Sequence, residues 1–396
     1  MRVLVVDHTA QEGGAESALL RVAQRIGEAD LTVRALLFED GPFRERLTSA
    51  GITTAILSLD SHTNRTSRDR VLSPVTALRT AAATLGFVPR LVRGIRGSQC
   101  DLVVANSLKS AVLVSLAAPL AGRRWVWHLH DRLARDYLPG PLVRLMRVLA
   151  LAGPRRIVVN SEATRDTLPS RARRKAVIAY PGLPPEAFEV AEPDVHHPVV
   201  TVIGRISPTK GQREFLEAAA ALAQTRPDVR FRIVGAALFA EQEYADALPA
   251  LAERLGLDSS VIFTGWVSDP GAELRASTVL VHASPVPEPF GQVVAEAMAA
   301  GIPVVASDAG GVREMLVPDG GREDAPAPVR TTELGVLVRP GDASALATGI
   351  TLVLQDPDAA AQRARAARAV AGARFGIDDT VAVIREAWLT AAPGHR

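Results

Sequence analysis

The sequence predicts an α/β protein made of two Rossmann-like, doubly wound lobes, and three observations carry that expectation. Short apolar runs of strand length alternate with longer amphipathic stretches from end to end, the signature of parallel β-α architecture. The alternation breaks at a proline-rich stretch and then starts again. The chain has 396 residues, too many for one compact core and enough for two. At 47% hydrophobic and 22% charged it can bury both, which excludes wholesale disorder.

The first lobe opens with the run Val3, Leu4, Val5, Val6, which reads as a buried strand. Gly13 and Gly14 make a turn, and Ala15, Ala18, Leu19, Val22 and Ile26 follow at helical spacing. Further strands are expected at 33–38, 102–105, 125–128 and 157–160. The pattern restarts with an apolar run at 199–203 that ends in Gly204. A helix bearing Phe215, Leu216, Ala219 and Leu222 follows, then strands at 231–234, 261–263, 279–282 and 303–306. Residues 183–198 hold Pro184, Pro185, Pro193 and Pro198 and read as a linker. The expected division is therefore 1–185 and 196–374, with a cleft between the lobes where ligands usually bind. Residues 60–73 and 320–332 are polar or Gly/Pro-rich and read as loops.

The net charge of +2 hides an asymmetry. Residues 1–190 carry 27 Lys+Arg against 17 Asp+Glu, and residues 191–396 carry 18 against 26. Zinc-finger spacing and Arg/aromatic interleaving are both missing from the basic half, so no nucleic-acid partner is expected. Cys100 is the only cysteine, which suits a reducing, cytoplasmic setting. No apolar run reaches the roughly 20 residues of a spanning helix, so the protein is expected to be soluble or to touch a membrane only at its surface.

Residues 284–316 are the most informative. They read as a strand end, a loop with Glu288, a helix beginning near Phe290, Gly291 and Gln292 and carrying Glu296, then a second strand and a glycine turn. A helix start with a glycine suits a diphosphate, and a carboxylate suits a sugar diol. In a second constellation, Gly204, Arg205 and Lys210 lie between a strand and a helix, and two cations there can neutralise a departing diphosphate.

Glu288-Pro-Phe-Gly-(x)4-Glu296, with Gly301, Pro303, Gly310, Gly311 and Glu314, resembles the signature of retaining glycosyltransferase family 4. The resemblance implies the two-lobed GT-B fold, with the lobes facing across a cleft, and a nucleoside-diphosphate sugar as donor, a UDP-sugar being the commonest. It implies that Glu288 contacts the donor sugar, Glu296 the ribose, and Arg205 and Lys210 the leaving diphosphate. Gly13 and Gly14 match a glycine pair set against that diphosphate. Gly265, Trp266 and Val267 match the loop whose backbone receives the base, and His130 matches a histidine near the reacting carbon. A last helix, 375–392, is expected to return to the first lobe.

The His128-x-His130-Asp131 cluster suggests a metal on spacing alone, but no further ligand lies nearby. No metal and no cofactor are expected. The acceptor is an unidentified hydroxyl of a polysaccharide, lipid-linked or natural-product molecule. A nucleotide-sugar 2-epimerase and a non-catalytic sugar-nucleotide binding protein are the rival readings. Two stretches, 87–97 with Arg90, Arg93 and Arg96 and 142–151 with Arg144 and Arg147, are amphipathic. They leave open a peripheral contact with an anionic membrane surface, against the reading of packed helices with a solvated basic face.

Overall fold

The computed structural model describes residues 1–27, 31–59, 74–190, 194, 196–238, 241–317 and 327–393, with residues 74–85 described as backbone. The expected loop at 60–73 and residues 320–326 of the second loop lie outside the described residues. The chain divides into two compact units, Met1–Gly182 with Ile377–Arg396, and Leu183–Gly376.

The first unit alternates strand and helix: β1 (Arg2–Asp7), α1 (Gly14–Ile26), β2 (Thr32–Leu37), α2 (Pro42–Ser49), β3 (Thr53–Ile56), α3 (Pro74–Gly97), β4 (Leu102–Ala105), α4 (Leu108–Leu120), β5 (Arg124–Leu129), α5 (Gly140–Ala152), β6 (Arg156–Val159), the single turns α6 (Glu162–Arg165) and α7 (Ser170–Arg173), and β7 (Ala176–Ile178). The seven strands form one parallel sheet in the order β3-β2-β1-β4-β5-β6-β7. Side chains alternate between its faces. Leu4, Val6, Val103, Trp125 and Trp127 join one core with α3, α4 and α5, while Val3, Val5, Val104, Val126 and Val158 join the other.

The second unit runs from a 3-10 turn (Pro185–Phe188) through β8 (Val199–Ile203), α8 (Gln212–Ala223), β9 (Arg230–Val234), α9 (Gln242–Arg254), β10 (Val261–Gly265), α10 (Pro270–Arg275), β11 (Val279–His282), α11 (Gln292–Ala300), β12 (Val304–Ser307), α12 (Gly311–Leu316), β13 (Val329–Thr331), β14 (Val336–Val338), α13 (Ala343–Gln355) and α14 (Pro357–Arg374). Its sheet order is β10-β9-β8-β11-β12-β14-β13, parallel except for the final β13–β14 hairpin. The start of the expected linker belongs to this unit, because Leu183 pairs with Gly376 and donates to the Phe375 carbonyl.

The closing helix, α15 (Ile377–Ala391), packs on the first sheet. Its Trp388 is fully buried, stacks on His128 and donates its indole N–H to His128 Nε2 at 3.0 Å. Thr380 Oγ1 donates to the Tyr180 carbonyl. A Cβ at Gly182 would fall 2.6 Å from the Ile377 Cα, so glycine allows the chain and the returning helix to touch there.

Candidate active site

In each sheet the strand order reverses beside the first strand, between β1 and β4 and between β8 and β11. Ligands of doubly wound sheets bind at such switch points, outside the carboxyl ends of the strands. The candidate residues of each unit lie at those ends.

In the second unit, β8 ends at Ile203 and delivers Gly204 and Arg205. β11 ends at His282 and delivers the loop with Ser284 and Glu288. Lys210 Nζ donates to Glu288 Oε1 at 2.6 Å, and Ser284 Oγ donates to the same oxygen at 3.2 Å. His282 Nε2 stands 3.4 Å from the same oxygen. Burial by itself would raise the Glu288 carboxyl. The Lys210 ammonium, with His282 behind it, outweighs that effect and holds the group well below the usual carboxylate range. Arg205 Nε lies 3.2 Å from Glu241 Oε2, and Glu241 also accepts from Ser207 Oγ at 2.7 Å.

Glycines shape this site by close approach. Gly211 has φ of +77°, and a Cβ there would sit 2.0 Å from the Ala283 carbonyl oxygen. This contact brings the Lys210 loop against the end of β11. Gly310 has φ of +64°, and its Cβ would fall 2.1 Å from the Glu288 carbonyl oxygen, which the Gly311 N–H holds at 2.9 Å. The glycine turn after β12 thus clamps the backbone of Glu288.

Gly291 caps α11 at φ of +98°. Phe290 is buried, and its ring meets Phe375 edge-on, so any contact with a ligand falls to its backbone. Gln292 opens α11 and Glu296 follows one turn later, half-buried. Gly265 ends β10 with positive φ, Trp266 beyond it is 68% exposed, and Val267 is half-buried.

In the first unit, Asp7 ends β1 fully buried and accepts from Asn106 Nδ2 at 2.6 Å. That bond turns Asn106 Oδ1 toward His130 Nε2, 3.0 Å away. Asn106 Oδ1 can only accept, so the hydrogen of a neutral His130 sits on Nε2 and leaves Nδ1 as an acceptor. Burial lowers the pKa of His130 against the opposing pull of Asp131 and Asp7, so the ring is neutral near pH 7. The two histidines therefore differ in kind. His128 is committed to Trp388, and burial drops its pKa to about 3.

Gly13 caps α1 and Gly14 begins it. The Glu16 carboxyl folds back onto this turn, where the N–H groups of Glu16 and Gly13 hydrogen-bond it. Burial, then the Asp7 charge, push its pKa up to about 8, so it is neutral at pH 7.

Asp7, Asn106, Glu241 and His282 were not singled out from sequence. The available signal is a polar residue closing or following an apolar strand, as Asp7, Asn106 and His282 do. The sequence also holds an Asp-x-Asp triplet, Asp356-Pro357-Asp358. Asp356 there caps α14 by accepting from the Ala359 N–H at 3.0 Å.

Two families match, together spanning nearly the whole chain: Glycosyltransferase Family 4 over residues 12–187 and Glycosyl transferases group 1 over residues 185–370. A D-inositol 3-phosphate glycosyltransferase of Streptomyces avermitilis is 27% identical over 98% of this chain and 85% of its own length. One from Streptomyces scabiei is 32% identical over 71% of this chain, and the match spans 58% of that relative. Anabaena HepE, solved with UDP and glucose, superposes with a TM-score of 0.80 at 28% identity, covering 98% of both chains. The chain belongs to the family 4 glycosyltransferases of GT-B fold.

Proposed function

We propose that the protein is a retaining, metal-independent hexosyltransferase. It uses a UDP-sugar as donor and a hydroxyl of a polysaccharide, lipid-linked or natural-product molecule as acceptor. The observation that carries this is the pairing of Lys210 with Glu288 beside the switch point of the second unit. The likeness to HepE, solved with UDP and glucose, supports the choice of donor.

Each residue has a role its chemistry supports. Lys210 has three donors, so it can hold Glu288 and still donate to a diphosphate oxygen. Arg205 adds a second cation to the leaving group. Glu288, kept ionised, accepts hydrogen bonds from hydroxyls of the donor sugar, and Glu296 accepts those of the ribose. The backbone of Gly265, Trp266 and Val267 receives the base, and the N-terminal turn of α11 from Gly291 favours phosphate. Gly13 and Gly14 approach the diphosphate, where a neutral Glu16 avoids repelling it. His130 accepts a donor-sugar hydroxyl at Nδ1.

In the reaction the bond between the anomeric carbon and the diphosphate oxygen breaks, and its electron pair leaves with the diphosphate. The acceptor oxygen bonds to the same face of that carbon and passes its proton to the departing diphosphate. Rate comes from placing the acceptor oxygen and from stabilising the leaving charge. The test is to incubate the protein with UDP-glucose and acceptor hydroxyls, with and without a chelator, and to read the product anomer by NMR. An α-linked product that forms equally with the chelator supports the reading. A β-linked product overturns retention, and loss of activity with the chelator overturns metal independence.

A further inference from the structure

The opposite edge of the first sheet carries a feature the transfer reaction does not use. β5, β6 and β7 are adjacent and parallel, so their amino ends share one edge. Each strand is entered through a basic pair: Arg123 and Arg124, Arg155 and Arg156, Arg174 and Lys175. Arg123, Arg124, Trp125, Arg155 and Lys175 line a recess there, and among the described residues no carboxylate lines it. Trp125 is 2% exposed, and its indole N–H and the buried Nε of Arg123 have no acceptor among the described residues. Lys175 and Arg124 also reach main-chain carbonyls, of Leu151 and Pro154 and of Ala392, but a recess with four cations and two buried N–H groups that lack an acceptor has the chemistry of an anion site.

The surface beside it is apolar. Leu116 and Leu120 on α4, and Leu145, Val148 and Leu151 on α5, are 39–62% exposed. They are five of the ten exposed large hydrophobics among the described residues, a concentration that marks an interaction surface. Neither helix contains an acidic residue. Lys175 donates to the Leu151 carbonyl and Arg96 to the Leu120 carbonyl, both at 2.7 Å, so cations stand at the helix ends beside these side chains. On residues 87–97, by contrast, Phe87, Val88, Leu91 and Ile95 are buried, and the long side chains left exposed are Arg90, Arg93 and Arg96. Residues 87–97 expose no large hydrophobic side chain to a bilayer, and α5 does.

We propose that this edge docks on an anionic phospholipid surface, with the α4 and α5 leucines at the acyl boundary and a lipid phosphate in the recess. Charge complementarity selects the occupant: apolar side chains ringed by cations fit a bilayer with negative headgroups. The proposal is independent of the donor assignment, because these residues lie at the amino ends of strands whose carboxyl ends carry His130 and Asn160.

The test is flotation of the full chain with phosphatidylglycerol or phosphatidylcholine vesicles at low and high salt, alongside inorganic phosphate without vesicles. The expected result is binding to phosphatidylglycerol alone, lost at high salt and weakened about tenfold or more by Arg155→Glu and by the Leu145→Ser/Val148→Ser pair, with melting temperatures preserved. Should the leucine pair fail to fold, Arg155→Glu, at an exposed position, decides. Indifference to phosphatidylglycerol at low salt, equal binding to both lipids, or binding that Arg155→Glu leaves unchanged would each overturn the proposal. A melting shift with inorganic phosphate alone, in a protein that ignores vesicles, would assign the recess to a free anion instead.

Discussion

The Lys210 ammonium meets the Glu288 carboxylate at 2.6 Å, although 78 residues separate them along the chain. Glu288 is 8% exposed, so removing Lys210 strands a buried negative charge. Lys210→Ala should lower turnover by about a hundredfold or more, the effect of losing one preorganised charge at the leaving group. Lys210→Arg should restore part of it. Steady-state rates beside melting curves check this. A loss of rate that merely follows unfolding would assign the pair to stability.

Gly310 tests how the Glu288 backbone is held. A Cβ there would meet the Glu288 carbonyl at 2.1 Å, at a positive φ that side chains resist. Gly310→Ala should cost on the order of 1–3 kcal/mol in stability and weaken donor binding together with it. Gly122→Ala is the control, since it also has positive φ but meets nothing within 4 Å. Denaturant unfolding and nucleotide titration of both variants measure the difference.

Glu16 gives the stability curve a pH-dependent slope. Its carboxyl ionises near 4.5 in the unfolded chain and near 8 in the fold. The folded state therefore holds the extra proton between those values. The Glu16 contribution is fully present below about 4.5 and is lost as pH rises through about 8. Glu16→Gln should remove this slope, so its stability relative to the native protein should rise from pH 5 to pH 8. A pH-independent difference in denaturant unfolding would contradict the assignment.

The two histidines at the end of β5 should separate cleanly. Trp388→Phe removes the bond to His128 and should cost about 1–2 kcal/mol while leaving nucleotide affinity unchanged. His130→Ala should do the reverse, cutting turnover with little change in melting. Asn106→Asp should reduce turnover through the His130 tautomer, and a shifted pH profile would mark that route.

The sequence was legible wherever one local pattern carries the structure. Central strands such as β4, a four-residue apolar run, and β11, three apolar residues closed by His282, are buried on both faces and stand out from their neighbours. β3 and β7 lie at the sheet ends, short and half-exposed, with little pattern to read. Likewise Glu288, Lys210 and His130 sit in short motifs with their own spacing. Their partners do not: Asn106 reaches Asp7 across 99 residues, and Glu241 reaches Arg205 from a separate loop. The helical pattern of 142–151 was visible, but which apolar residues stay exposed depends on the neighbours packed against α5.

Calorimetric titration with UDP tests whether Lys210 and Arg205 hold the diphosphate of a nucleotide donor. Saturable one-to-one binding to the native protein is expected. Affinity should be at least about tenfold weaker in Lys210→Ala and Arg205→Ala, the ~1.4 kcal/mol of one charge-assisted bond, while both variants melt cooperatively. Binding of UDP with equal affinity by the native protein and by both folded variants would contradict that role.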